Sequence, residues 1–201
     1  MRGVLWCNGS IPSKSVVEWV LSTEAPVFGV DGGADKARGL GIDVIEVLGD
    51  MDSVDESAWK GRTLPLNEQS FSDLAKSIEQ LMDRGFEEIE IVGADGGDPS
   101  HILGNWGCMN DAPSGARIRI HHEEQVSTRI HPDEGEFSAE FEKGELFSVF
   151  SIGTGKVWIS GARWEVDGEN LVLSSRGLHN EGKGDVVKIK GEGVLLLISK
   201  R

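Results

Sequence analysis

The sequence of 201 residues has few cysteines, few basic residues and no long hydrophobic run. Its two cysteines, Cys7 and Cys108, exclude a disulfide framework, and their apolar surroundings predict buried free thiols in a reducing compartment. The longest apolar runs, such as 194–198, are too short to span a bilayer, and the first residues lack the pattern of a signal peptide. We therefore expect a cytoplasmic protein with no membrane partner.

The scarcity of basic residues narrows the range of partners. There are 20 basic against 34 acidic residues, which gives a formal net charge of −14. A surface of this sign repels the phosphates of nucleic acids and of anionic membranes, so no nucleic acid partner is expected. A nucleotide ligand stays possible if a divalent cation mediates its binding. The length allows one large or two small domains with a proper core.

The first 120 residues alternate between short apolar runs and helical patterns. The clearest helix spans 72–85, where Ser72 can cap it, Leu74, Ile78 and Leu81 share one face, and Gly85 ends it. The predicted strands are 3–7, 27–31, 44–48, 62–66, 87–93 and 116–121, and the other predicted helices are 13–21, 34–40 and 101–109. Strands that alternate with helices predict an α/β domain with a doubly wound, Rossmann-like and mostly parallel sheet.

After about residue 131 the pattern changes. Segments such as 136–152 and 156–166 alternate apolar and polar residues, with glycines between them, and no helical stripe is left. This pattern predicts short antiparallel strands in an all-β sandwich. We place the boundary near His131 and Pro132, which gives domains at 1–131 and 132–201.

Carboxylates follow the predicted strands of the first domain. Asp31 ends one strand, Asp50 and Asp52 follow the next, Asp73 opens the clearest helix and Asp95 follows a later strand. In an open parallel sheet the carboxyl ends of the strands form the ligand-binding edge. Clustered carboxylates repel one another unless a hard cation such as Mg²⁺ neutralises them. The alternative is that each acid separately caps a helix or fills a turn.

A histidine metal site is less well supported. His121 and His122 are adjacent in a predicted strand, and His131 follows ten positions after His121. Adjacent residues of a strand point to opposite faces of the sheet, so a shared zinc ion is not expected.

Six short motifs and a final strand occur in the order found in one known family. They are "NG" at 8–9, "DGGAD" at 31–35, "GDMDS" at 49–53, "EQSFSD" at 68–73, "GADGGDPSHILGN" at 93–105, "SRGLHNE" at 175–181 and "GVLLLI" at 193–198. Together they resemble the thiamine pyrophosphokinase family over nearly the whole chain. Each motif is weak alone, and the ordered set in both halves of the chain is what carries the resemblance.

The resemblance implies a fold, a reaction and an assembly. It implies that 1–131 is an α/β nucleotide-binding catalytic domain and that 132–201 is a β-sandwich thiamine-binding domain. The family transfers pyrophosphate from ATP to the hydroxyl of thiamine with Mg²⁺, and the products are thiamine diphosphate and AMP. It also implies a homodimer whose active sites are shared between subunits.

The resemblance also implies roles for individual residues. Asp50, Asp52 and Asp73 would be catalytic and would hold the metal. Thiamine would contact Gln69, His179 and Asn180, with Asn180 reaching it from the partner subunit. The residues implied in nucleotide binding are Asn8, Asp31, Gly32, Gly33, Ser53 and His101.

The chain departs from the family pattern at several positions. Glu68 and Ser70 replace two aspartates, Asp98 replaces a basic residue, Ser100 replaces an aspartate and His179 replaces a serine. Two alternatives therefore stay open. One is a pyrophosphokinase for another heterocyclic alcohol, such as a hydroxymethylpterin, and the other is a weakly active, thiamine-binding relative.

Overall fold

A computed structural model describes residues 1–55 and 57–201. The chain divides into two compact units, Met1–Glu123 and Glu124–Arg201. The division lies before the boundary that the sequence suggested near His131. The reason is the strand Gln125–Ile130, which pairs antiparallel with Leu195–Lys200 and so belongs to the second unit.

The first unit contains a parallel sheet in the order β6-β5-β1-β2-β3-β4, with every described pairing parallel. Its strands are β1 (Arg2–Trp6), β2 (Val27–Val30), β3 (Val44–Gly49), β4 (Thr63–Pro65), β5 (Glu88–Val92) and β6 (Arg117–His121). Its helices are α1 (Lys14–Val20), α2 (Gly33–Gly39), α3 (Asp73–Asp83) and α4 (Pro99–Asp111). The alternation of strands and helices predicted from the sequence is confirmed.

Local chemistry explains where the best helix begins and ends. The hydroxyl of Ser72 accepts a hydrogen bond from the backbone N–H of Ala75 at 3.3 Å, which satisfies one unpaired donor of the first turn of α3. Leu74, Ile78 and Leu81 are buried on one face. Gly85 follows with a φ of 82°, a backbone conformation that glycine adopts without strain.

The helices of this unit lie on both faces of the sheet. Val16 of α1 and Ala34 of α2 join one apolar cluster with Val4 of β1. A side chain at Gly3 would point to the opposite face, where it would meet Leu81 of α3. The sheet is therefore doubly wound, as the sequence predicts.

The strand order reverses between β1 and β5. From β1 the chain adds β2, β3 and β4 on one side, and it then returns to add β5 and β6 on the other side. In doubly wound sheets, ligands bind in the crevice outside the carboxyl ends of the strands at such a reversal.

The second unit consists of two antiparallel sheets, in the orders β12-β9-β14-β7 and β11-β10-β13-β8. Phe147 of the first sheet stacks on Phe141 of the second, with ring centroids 4.3 Å apart. The strands are β7 (Gln125–Ile130), β8 (Phe137–Phe141), β9 (Leu146–Ser151), β10 (Lys156–Ser160), β11 (Val166–Asn170), β12 (Asn180–Glu181), β13 (Asp185–Gly191) and β14 (Leu195–Lys200). Side chains of both sheets form one core, so this unit is a β-sandwich.

Two further predictions from composition can be compared with the structure. Cys7 and Cys108 are both buried free thiols, as expected. Within the described residues, no helix combines the length and the apolar character needed to cross a membrane.

Candidate active site

Three carboxylates converge at the carboxyl edge of the parallel sheet. Asp31 follows β2, and Asp50 and Asp52 follow β3. One oxygen of each lies within 4.8 Å of the others. The backbone N–H of Asp52 also donates to Asp50 Oδ1 at 3.2 Å, which fixes the turn that carries both side chains. We call these three residues the rim carboxylates.

The rim carboxylates hold negative charge that the described part of the chain does not neutralise. None of Asp31, Asp50 and Asp52 forms an ion pair among the described residues. Asp31 is buried, and the hydroxyl of Ser53 donates to its Oδ2. Its Oδ1 is buried and has no hydrogen-bond partner within the described residues. A bound cation would satisfy such an unpaired, buried carboxylate oxygen.

The environment of Asp31 opposes its ionisation. Burial raises the pKa of this carboxyl, and the nearby charge of Asp52 raises it further. Hydrogen bonds from Ser53 and from the backbone of Gly32 act in the opposite direction without cancelling the effect. A bound cation would favour the ionised form.

The backbone at this edge is strained. Asp31 and Met51 have φ values of 47° and 69°, in the left-handed region that most residues avoid. Gly49 has a φ of 146°, and a Cβ there would lie 3.1 Å from the Cβ of Asp31. Glycine at this position therefore allows the end of β3 to approach Asp31 closely.

Asp73 lies beside the rim carboxylates but outside their group of three. Its Cγ would be 3.4 Å from a Cβ on Gly49. Lys76 provides a local reason for the difference, because its ammonium group is 2.8 Å from Asp73 Oδ1. The same ammonium donates to the carbonyl oxygens of Leu66 and Glu68 at 2.7 and 2.9 Å. The sequence interpretation missed Lys76, although its place three residues after Asp73 on a helix is a recognisable pattern.

Residues implied in nucleotide binding surround the same edge. Lys36 donates to the carbonyl oxygen of Asn8 at 2.5 Å and so holds the loop after β1. A Cβ on Gly32 would lie 2.6 Å from Asn8 Nδ2 and 2.7 Å from the carbonyl oxygen of Ser53. A Cβ on Gly33 would collide with the end of β1. Both glycines are therefore needed for the loops to pack together.

His101 and its neighbours form the first turn of α4. Asp98 is the N-cap, and its carboxylate accepts a hydrogen bond from the backbone N–H of Ser100 at 2.7 Å. Hydrogen bonds from Ser100 hold the pKa of Asp98 below its usual value. His101 is exposed, and its backbone N–H donates to the carbonyl oxygen of Asp98 at 3.0 Å. The acid at position 98 thus has a structural function at the start of a helix that begins with Pro99.

Gln69 lies in the exposed loop that precedes α3. Its amide donates to the carbonyl oxygen of Asn67 at 3.4 Å. The backbone N–H of Ser70 donates to Glu68 Oε1 at 2.5 Å, so the two departures from the family motif form a local turn.

His179 and Asn180 lie in the second unit. His179 is exposed with a φ of 55°, and its backbone N–H donates to the hydroxyl of Ser148 at 3.1 Å. Asn180 is buried, and its amide side chain bonds both the N–H and the C=O of Trp164, at 3.1 and 2.7 Å. Trp164 itself is 54% exposed. Asn180 therefore fixes the backbone of an exposed aromatic residue that the sequence interpretation missed.

Asp95 does not join the rim carboxylates. Its Oδ1 lies 2.7 Å from Nδ1 of His122, the residue that follows β6, and the ring of His122 stacks on Trp106. Of the two alternatives that the sequence left open, Asp95 therefore follows the one in which an acid has a separate local role, because a histidine at the neighbouring strand end pairs with it.

The chain was compared with known protein families and curated proteins. Residues 18–120 match the family model described as "Thiamin pyrophosphokinase, catalytic domain". No curated protein matches the sequence.

Several solved structures are similar in fold. Thiamine pyrophosphokinase from Bacillus subtilis is 19% identical with a TM-score of 0.78, and the match covers 100% of this chain and 99% of that one. A probable thiamine pyrophosphokinase from Staphylococcus saprophyticus is 22% identical with a TM-score of 0.74, over 100% and 99% of the two chains. The enzyme from Candida albicans is 10% identical with a TM-score of 0.77, over 99% and 89%. At these identities the likeness establishes a shared fold.

Proposed function

Because the chain belongs to the thiamin pyrophosphokinase family, we propose that it transfers pyrophosphate from ATP to the hydroxyl group of thiamine. The products are thiamine diphosphate and AMP. The observation that carries the proposal is the group of rim carboxylates, Asp31, Asp50 and Asp52, at the ligand-binding edge of a doubly wound sheet. Their residue types and positions coincide with the family motifs in which they occur.

The rim carboxylates fit a magnesium ion. All the available donors are carboxylate oxygens, which Mg²⁺ prefers, and the buried Oδ1 of Asp31 has no other partner among the described residues. Asp31, Asp50 and Asp52 would hold the ion, with Asp73 next to them. When bound, the cation supplies positive charge that offsets the charge of the triphosphate oxygens.

The chemical step needs alignment more than a protein nucleophile. The hydroxyl oxygen of thiamine forms a bond to the β-phosphorus of ATP. The bond between that phosphorus and the oxygen bridging to the α-phosphate breaks, AMP departs with the electron pair, and the hydroxyl proton is released to water. The loops after β1, β2 and β3 hold Asn8, Gly32 and Ser53 in close contact, so they can present backbone groups to the phosphates.

An assay of AMP release tests the reaction. The purified protein is incubated with ATP and Mg²⁺ and with thiamine, a hydroxymethylpterin or no acceptor. We expect AMP and thiamine diphosphate to form in equal amounts when thiamine is the acceptor, and no AMP to form with the pterin or without an acceptor. A preference for the pterin would support the alternative substrate, and tight thiamine binding without AMP would support a binding protein.

We further propose a homodimer with shared sites, in which Asp73 acts from one subunit and Asn180 from its partner. The position of Asn180 in the second unit supports the proposal of shared sites. There the side chain of Asn180 fixes the backbone of the exposed Trp164. Asp73→Asn and Asn180→Ala proteins should each be nearly inactive, and refolding them together should restore roughly a quarter of wild-type activity. Confirmed heterodimers with no restored activity would contradict the shared site.

A further inference from the structure

The loop that carries two of the rim carboxylates is long and irregular. Residues 50–62 connect β3 to β4, and the described part of this loop contains neither a helix nor a strand. Met51, which lies between Asp50 and Asp52, has a φ of 69° in the left-handed region. A loop without a regular ladder of hydrogen bonds depends on contacts with neighbouring elements for a fixed geometry.

Asp35 of α2 holds this loop at two points. Its Oδ1 accepts a hydrogen bond from Nε1 of Trp59 at 2.9 Å. Its Oδ2 accepts a hydrogen bond from the backbone N–H of Asp55 at 2.8 Å. Both carboxylate oxygens therefore bind the loop that begins with Asp50 and Asp52. Asp35 is the last residue of the "DGGAD" motif, and the sequence analysis gave it no role.

Trp59 is a rigid anchor for this contact. Its side chain is 1% exposed and belongs to the same apolar cluster as Ala34 of α2. Met51 packs against that cluster as well. The position of the indole ring is therefore set by the core of the first unit, and Asp35 links the backbone of Asp55 to it.

The same motif contacts the loop a second time, at the rim. The hydroxyl of Ser53 donates to Oδ2 of Asp31. A Cβ on Gly32 would lie only 2.7 Å from the carbonyl oxygen of Ser53, so the two backbones are in close contact there. Asp31 and Asp35, at the two ends of one motif, thus hold the loop on both sides of Val54.

The two contacts of Asp35 require a carboxylate. Both donors are N–H groups of fixed direction, one on the backbone of Asp55 and one on the buried ring of Trp59. A carboxylate offers two acceptor oxygens, whereas a carboxamide offers one acceptor and one donor. In Asp35→Asn the amide NH₂ would face one of the two N–H groups, and that group would lose its partner. Arg38, 3.1 Å from Oδ1 on the next turn of α2, balances the charge of the carboxylate.

We propose that Asp35 is a positioning residue of the active site, which holds the loop so that Asp50 and Asp52 stand in the geometry that one divalent cation needs. Asp35 itself is not a ligand of the cation, since both of its oxygens bind the loop. The assignment rests on the proposed function, in which the rim carboxylates bind the metal. The alternative is that Asp35 contributes only to the stability of the fold.

Hydrogen exchange of the complete protein tests the contact without any metal. Exchange of the amides of residues 50–62 is followed by mass spectrometry in the presence of a chelator. We expect about tenfold faster exchange in Asp35→Asn, because one N–H group loses its acceptor. Asp55→Asn is the matched control, since it removes a charge from the same loop and keeps the backbone N–H that donates to Asp35. Its exchange should stay within about twofold of the wild type.

Binding of Mn²⁺ without a nucleotide tests the positioning. Electron paramagnetic resonance should show one bound ion per chain in the wild type, in Asp35→Asn and in Asp55→Asn. Asp35→Asn should bind the ion about tenfold more weakly, because the two acids then have to be ordered when the ion binds. Asp55→Asn should stay within about twofold of the wild type, so that the loss of one nearby charge is controlled. Circular dichroism and the melting temperature establish that the variants are folded.

A second change tests the atom that makes the contact. Trp59→Phe removes the Nε1–H group but keeps an aromatic ring in the core. When both changes are combined, the carboxamide oxygen at position 35 can accept from Asp55, and its NH₂ group no longer faces an N–H group. The change Asp35→Asn should therefore weaken Mn²⁺ binding less than about twofold when it is made in Trp59→Phe. The full tenfold loss in that background would overturn the assignment.

The remaining outcomes separate the positioning role from the proposed function. If the wild type converts ATP and thiamine to AMP, but Asp35→Asn exchanges and binds Mn²⁺ as the wild type does, the positioning role alone is wrong. Faster exchange with unchanged Mn²⁺ affinity, or equal weakening in Asp55→Asn, leaves Asp35 with a structural contribution and also overturns the proposal. If Asp35→Asn shows both effects and the wild type forms no AMP, the positioning role stands and the proposed transfer is wrong.

Discussion

The first unit contains two sets of carboxylates that the fold treats in opposite ways. At the edge of the sheet, the rim carboxylates stand together without an ion pair among the described residues. Inside the sheet, Glu90 is fully buried, with Arg2 Nε at 3.3 Å, Arg119 Nε at 3.0 Å and His121 Nε2 at 2.6 Å. Arginine side chains of the chain itself neutralise Glu90, whereas no cationic side chain among the described residues neutralises the rim carboxylates.

The pKa values follow this difference. Burial alone would raise the pKa of Glu90, but hydrogen bonds and positive charge from His121 and Arg119 outweigh it and lower the pKa to about 2. Burial also acts on Asp31, where no cation of the described chain opposes it, and there the pKa is raised. We infer that the Glu90 network stabilises the fold and that the rim carboxylates bind a cation from solution.

The largest effect on activity is expected when one of the rim carboxylates loses its charge. Asp52→Asn should reduce AMP formation about a thousandfold, because it would remove one of the proposed metal ligands and the charge stabilisation that this ligand would support. The protein should stay folded, since Asp52 is exposed. The measurement is the rate of AMP release, with the exposed Asp83→Asn on α3 as the control. A folded Asp52→Asn protein with wild-type turnover would remove the metal role.

The corresponding change in the Glu90 network should affect stability. Glu90→Gln leaves Arg2 and Arg119 without a buried counter-charge, so the free energy of unfolding should fall by about 3 kcal/mol. Urea denaturation measures the change. Glu88→Gln is the matched control on the same strand, because Glu88 is partly exposed and lies 3.8 Å from Arg119. Its effect should stay below about 0.5 kcal/mol, and equal effects at both positions would contradict the network.

The two sets should also differ in their response to acid. The pKa of Glu90 is lower in the folded state, so its contribution to stability is complete above about pH 4.5 and is lost as the pH falls towards about 2. The raised pKa of Asp31 works in the opposite sense, since protonation relieves its burial. Glu90→Gln should therefore flatten the loss of stability between about pH 4.5 and 2. Urea titrations over that range test this, and an unchanged acid limb in Glu90→Gln would refute it.

A smaller gain in stability is expected from neutralising Asp31. In Asp31→Asn the carbamoyl oxygen can still accept from Ser53, and asparagine tolerates a positive φ. Removing a buried, unneutralised charge should raise the free energy of unfolding at pH 7 by about 1 kcal/mol. Activity should be lost at the same time, because functional sites often reduce the stability of a protein. A destabilised Asp31→Asn protein at pH 7 would mean that the charge is already compensated.

The sequence predicted the parts of the fold that depend on local chemistry. Ser13 and Ser72 cap the helices expected after them. Strand β7 was missed because Ser127, Thr128 and Arg129 are polar yet buried, so the apolar alternation that marks a strand is absent. Such burial depends on pairing with a distant strand, and here β7 pairs with β14.

The same distinction applies to the site. The convergence of Asp31, Asp50 and Asp52 follows from the rule for strand ends, which needs only the order of elements. The burial of Glu90 depends on the register of β5 and β6, which places Glu90 directly beside Arg119. Within β5 alone, Glu90 alternates with apolar residues and so looks like a residue on an exposed face. The contact of Asp95 with His122 likewise joins the ends of β5 and β6. Registers of this kind are set by the packing of the whole sheet and are not encoded in any one segment.

Direct counting of bound cations tests the central claim, that the rim carboxylates form a site for a divalent ion. Mn²⁺ can replace Mg²⁺ at oxygen ligands, and its free concentration is measured by electron paramagnetic resonance without a nucleotide. We expect one site in each wild-type chain, retention of that site in Asp83→Asn and loss of it in the double variant Asp31→Asn with Asp52→Asn. A folded double variant that binds Mn²⁺ as the wild type does would contradict the account.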